Sequence, residues 1–162
     1  MAGRSRSKRT KVRGNSTKAQ FAPGLADIVL ETVRPQLPNF MTNPEMSKAA
    51  MLLAKLALGD NFIPKEFFRD DATALLKENG WGDPQKLDPV QRLIDNGILK
   101  EWTAGGFSRL RFVLDPIGEN LAAAHYVRTC RRDAECMNKL KDDAAKAPGF
   151  LAAVELFGSA ML

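Results

Sequence analysis

The stretch NGILKEWTAGGFSRLRFVLDP, residues 96–116, constrains this chain more than any other. Apolar residues recur at helical spacing up to Ile94, and then the period changes. Leu110, Phe112 and Leu114 alternate with Arg109, Arg111 and Val113, which is the period of a half-buried strand. Ala104-Gly105-Gly106 sits between two such runs, and adjacent glycines supply the positive φ angles of a tight hairpin turn. The spacing therefore predicts strands over 98–103 and 107–114. Asp115-Pro116 then turns the chain into a helix, because proline at a first helical position loses no hydrogen bond. On that helix Ile117, Leu121, Ala124 and Val127 are expected to face a core.

The flanking segments read as helices. Leu25, Ile28, Val29 and Val33 share a face over 25–33, and Pro35 and Pro38 stop the run. Asn43-Pro44 caps a helix over 44–58 that ends at Gly59. A third helix is expected over 65–77 with Phe67, Phe68, Ala72, Leu75 and Leu76 buried. A short fourth, opened by Asp88-Pro89, carries Val90, Leu93 and Ile94 and stops at Asn96-Gly97. A last helix is expected over 150–162. The fold class is mainly α with a small β-hairpin: a winged helix-turn-helix flanked by helices, preceded by a basic arm. The divisions are a disordered tail at 1–20, a helical lead-in at 21–43, a winged-helix domain at 44–132 and a trailing helical segment at 133–162, expected to be truncated.

Charge is uneven. Residues 1–18 hold seven Lys/Arg and no Asp/Glu, while the rest holds seventeen Lys/Arg against nineteen Asp/Glu. The basic balance therefore belongs to the tail. Arg4, Arg6, Lys8, Arg9, Lys11 and Arg13 are candidate phosphate contacts, and any nucleic-acid affinity is expected through this tail. A base-reading helix would have to be 89–95, which offers Gln91 and Arg92 but also Asp95. The preceding segment carries Glu66, Asp70 and Asp71. Glu101 is expected to lie opposite Arg109 and Arg111 on the hairpin. This is a poor footprint for sequence-specific DNA recognition.

Catalytic and metal chemistry find little support. Gly14-Asn15-Ser16-Thr17-Lys18 has the residue types of a phosphate-binding loop in the wrong order and without a preceding strand. His125, Cys130 and Cys136 are near one another, but on one continuous helix the two cysteines would lie about 240° apart on the helical wheel. The expectation is two inert thiols in a reducing cytoplasm, with no metal, no cofactor and no enzymatic activity. No run is long and apolar enough to span a membrane. Arg128, Arg131 and Arg132 end a helix, where cations suit its dipole.

Arg111-Phe112-x-Leu114-Asp115-Pro116-Ile117-x-Glu119-x-Leu121-Ala122-Ala123 resembles the start of the last winged-helix segment in bacterial NACHT-type signal-transduction (STAND) ATPases. Residues 49–58, Gly97-Ile98-Leu99 and Ala147-Pro148-Gly149-Phe150-Leu151 resemble the family's flanking steps. The resemblance covers residues 20–162 and is most specific over 95–125. It implies a non-enzymatic regulatory segment that packs on an ATPase core and restrains it. Arg109, Arg111, Asp115, Glu119 and Arg128 are then the candidate contacts with that core or another protein domain. Many members carry a nucleotide-touching histidine near the end of the second wing strand, where this chain has Leu114 and Asp115. The phosphate- and magnesium-binding motifs of such a core are absent, so the chain is expected to be a C-terminal fragment, the product of a split gene or a remnant.

Overall fold

The structure, a computed structural model, describes residues 43–83, 88–130 and 133–160. The basic tail, the helix expected at 25–33, Arg131 and Arg132 lie outside the described residues. Among the described residues the fold is mainly helical with one three-stranded antiparallel sheet. The order is α1 (Pro44–Leu58), β1 (Phe67–Phe68), α2 (Arg69–Glu78), α3 (Pro89–Asp95), β2 (Leu99–Ala104), β3 (Phe107–Phe112), α4 (Asp115–Cys130), α5 (Ala134–Asp143) and α6 (Pro148–Ala160).

The expected caps form these helices. The Asn43 side chain accepts from the amides of Glu45 and Met46 at 3.0 and 3.2 Å, with Pro44 in the first turn. Asp88 accepts from Val90 N–H at 2.9 Å ahead of Pro89. At the other end of α3, Gly97 adopts φ 69° and Ile98 N–H bonds back to Leu93 C=O at 2.9 Å. That satisfies an orphan carbonyl and aims the chain into β2. Gly105 and Gly106, at φ 60° and 80°, close the hairpin with Ala104 opposite Phe107.

The third strand departs from expectation. Phe67 and Phe68 were expected inside a helix over 65–77, but they pair with Leu110 and Arg109 as β1, and the helix begins only at Arg69. The reason is tertiary: the free edge of β3 offers two extended aromatic residues more than a helical turn would. The sheet order is β1-β3-β2. Its register sorts the side chains. Phe67, Leu99, Leu110 and Phe112 face inward and are buried. Phe68, Lys100, Trp102, Phe107, Arg109 and Arg111 share the outer face, since directly paired residues point the same way. β3 ends at Phe112, two residues earlier than expected, so Leu114 is 46% exposed rather than inward-facing.

α4 lies between α1 and α6 and is buried on two sides. Ala122 and Ala123 are fully buried, with Ile117, Val127 and Cys130 close behind, while Leu121 and Ala124, expected on the core face, are only partly covered. Gly118 permits the close approach: a Cβ there would meet the Phe112 ring at 3.3 Å and Leu58 at 3.7 Å. Phe62 stands in the left-handed region at φ 55°, costly for a bulky residue. Its ring stacks on Phe150 at 4.6 Å and meets Tyr126 edge-on at 5.6 Å, contacts that hold it there. Leu140, Ala144, Phe150 and Val154 join the same buried cluster as α1 and the sheet.

Cys130 and Cys136 are joined in a disulfide, with Cα atoms 5.4 Å apart. This overturns the expectation of two thiols facing apart on one helix. Asp133 accepts from the amides of Glu135 and Cys136 at 3.0 and 3.1 Å and so starts a new helix, α5. The two cysteines therefore sit on different helices, and the angle between them on a single wheel has no meaning. The bridge also removes the ground on which a reducing compartment was expected.

Candidate functional site

A polar network ties α2, α3 and the hairpin together. Arg69, the first residue of α2, donates from one guanidinium nitrogen to both carboxylate oxygens of Glu101 on β2, at 2.8 and 2.7 Å. Its other terminal nitrogen donates to Asp88 at 3.1 Å and to Gln91 Oε1 at 3.2 Å. Gln91 Nε2 in turn donates to Asp95 at 2.8 Å. The Ser108 hydroxyl donates to Glu101. Those hydrogen bonds, Ser108 first and Arg69 second, hold the Glu101 carboxyl below the usual carboxylate range. Arg69 and Glu101 are 32 positions apart, so no local sequence signal could have announced their pairing.

This network fixes one sequence candidate: the amide of Gln91 is engaged at both ends by its own protein. Arg92, on the same helix, is partly buried. Glu101 was expected opposite Arg109 and Arg111. Its cross-strand partner is Leu110, and its carboxylate points to Arg69 and Ser108 on the other side of the sheet.

The outer face of the sheet is consequently free of strand carboxylates. Arg109 pairs with Glu66 at the rim and lies 5.0 Å over the Phe68 ring. Phe68 meets Phe107 edge-on at 6.0 Å. Phe107 is 61% exposed. Arg111 pairs with Asp115 at 2.9 Å across the β3–α4 corner. Beside them an open groove of about 720 Å³ is lined by Lys100, Trp102, Arg111, Val113, Leu114 and Pro116. Val113 and Leu114 project at this corner, each nearly half exposed.

The remaining candidates lie apart from this face. The Glu119 carboxylate sits where a Cβ of Gly149 would be, at the start of α6. Burial, and then the charge of Asp115, push its carboxyl up. Arg128 donates to the Met51 sulfur at 3.6 Å, bridging α4 to α1. Of the five expected contact residues, the structure brings Arg109, Arg111 and Asp115 together; Glu119 is half-buried beside α6, and Arg128 is exposed on α4 with its guanidinium on Met51. His125 lies edge-on to Tyr126 at 5.8 Å, and burial, then Lys55, lowers its pKa. A second, smaller notch lies between α1 and the end of α2, where Lys48 stands 5.6 Å over Trp81. Among the described residues no group of three His, Cys, Asp or Glu could hold a metal ion, and no helix is long and apolar enough to cross a membrane.

No family model, no curated protein and no solved structure matches the chain.

Proposed function

We propose that this chain is a non-enzymatic interaction module built on a winged helix, acting as a regulatory segment of the kind found in NACHT-type STAND ATPases. The order helix, strand, helix, helix, strand, strand, with the short first strand joining the sheet beside the third, is the arrangement a winged helix would have. The observation that carries the reading is a contrast between two surfaces. Gln91, the α3 amide that could meet a base, is spent on an internal network. Meanwhile apolar side chains are left outward at the β3–α4 corner: Val113 at 48% and Leu114 at 46% exposure, beside Trp102 and Pro116. A surface of that kind favours packing against another protein over reading a duplex.

In this reading Arg111 and Asp115 form a self-paired corner that a partner surface can open and re-pair, and the partner is an ATPase core supplied by another part of a longer chain or by another chain. The test is association of the purified chain with a NACHT-type ATPase core from the same genome, measured by calorimetry with ADP and with a non-hydrolysable ATP analogue. Binding that prefers one nucleotide state, and that Leu114→Asp abolishes, is the expected result. No association in either state sinks the proposal.

A second reading, a nucleic-acid binder held by the basic tail, rests on the seven cations of residues 1–18. It predicts duplex affinity that falls steeply with salt and vanishes when those residues are deleted.

A further inference from the structure

The sheet's outer face is not explained by packing. Three aromatic rings (Phe68, Trp102 and Phe107) and three cations (Lys100, Arg109 and Arg111) share it. Trp102 is paired with Arg109, Lys100 with Arg111, and Phe68 also with Arg109. No carboxylate of the three strands points to this side. Glu101 is turned to the other, and the two acids that reach the face, Glu66 and Asp115, come from the rims. Such a face suits a ligand with flat rings and regularly spaced anions.

We infer that the outer face of this sheet is a binding platform for single-stranded nucleic acid. Unpaired bases would stack on the exposed ring of Phe107 and on the uncovered part of the half-buried Trp102, since every base has a π-face. Their phosphates would meet Lys100, and would meet Arg111 by displacing Asp115, whose pair with Arg111 is exposed and weak in water. The open groove beside Trp102, about 720 Å³, leaves space for a base and its sugar next to that ring. The rings of a duplex are stacked on each other and cannot reach this platform, so the discrimination is against double strands. The platform shares Trp102, Arg111 and the groove with the corner assigned above to a protein partner, so the two ligands compete there, and each association is tested by its own assay.

The experiment is fluorescence anisotropy of a labelled twelve-nucleotide oligothymidine and of a duplex of equal length, titrated with the full-length chain at low salt. Expected is single-strand binding at least tenfold tighter than duplex binding. The double variant Trp102→Ala/Phe107→Ala should lose roughly tenfold or more for the single strand. Lys100→Glu should also weaken it. If the aromatic variant unfolds, Trp81→Phe makes Trp102 the sole tryptophan, and the oligonucleotide should quench its fluorescence. Absence of saturable single-strand binding overturns the inference. So does equal affinity for duplex, unchanged affinity in the folded aromatic variant, or an unquenched Trp102. Capture of an acidic peptide by the same face in place of the oligonucleotide would overturn it as well.

Discussion

Arg69 and Glu101 meet through one guanidinium nitrogen and two carboxylate oxygens, at 2.8 and 2.7 Å, and so join the first residue of α2 to the middle of β2. The pair is partly covered, with side chains 24% and 30% exposed. Asp88 and Ser108 complete it. It is the main polar link between the hairpin and the helices that precede it.

Removing either partner should cost on the order of 1 kcal/mol, below the value for a buried pair because water still reaches both groups. A double-mutant cycle with Arg69→Met and Glu101→Gln, read by urea denaturation, should give a positive coupling energy. The Glu101 carboxyl is held below its ordinary 4.5, so its contribution is present above that pH and is lost as pH falls through the folded value. In Glu101→Gln this part of the acid sensitivity should disappear. Coupling indistinguishable from zero would show that the pair only decorates the surface.

Gly118→Leu should destabilise the protein by about 1–3 kcal/mol, because the new side chain would enter space held by Phe112 and Leu58. Gly118→Ala should be much milder, since tight contact at 3.3 Å is set against better helix propensity. Thermal melts followed by circular dichroism compare the two. Equal melting temperatures for Leu and wild type would mean that α4 does not approach the sheet so closely.

The Cys130–Cys136 bridge closes a short loop, with a sequence separation of 6. On the chain-entropy view such a loop is worth roughly 2 kcal/mol. Reduction with dithiothreitol should lower the melting temperature by roughly 5–10 °C. Cys136→Ser should match the reduced protein and no longer respond to reductant. Intact-mass analysis after alkylation under native conditions should add no label to the oxidised chain and two per chain after reduction. Labelling of the untreated protein at both cysteines would count against the bridge.

His125 has its pKa lowered from 6.5, chiefly by burial and then by Lys55. Between the folded and unfolded values the unfolded chain binds the extra proton, so stability rises with pH across that window and falls as pH drops below 6.5. In His125→Gln the stability curve should be flatter from about pH 6.5 downward. Denaturant melts at several pH values decide it, and identical pH slopes in both proteins would place the histidine in water.

The hairpin was readable because period two and a Gly-Gly turn are local signals, and the caps at Asn43, Asp88 and Gly97 are local as well. β1 was not. Phe67-Phe68 sits in a segment with good helical spacing, and only the exposed edge of β3, more than forty residues on, makes it extended. The disulfide was missed for a different reason. Asp133, three positions before Cys136, carried a readable cap signal, yet one helix was assumed across it. The Arg69 network had no signal at all beyond the presence of charges. Of the candidate surface, the outward placement of Arg109 and Arg111 followed from alternation. The side of the sheet on which Glu101 falls did not, and it decides how basic that face is.

The stacking of Phe150 on Phe62 has a consequence for synthesis. A nascent chain that has emerged through α4 already holds α1, the sheet and Tyr126, but the pocket around Phe62 stays open to water until residue 150 leaves the ribosome. The left-handed Phe62 lacks its main support over that interval. Until α6 is in place this pocket is an exposed apolar surface, of the kind that draws chaperones and neighbouring chains.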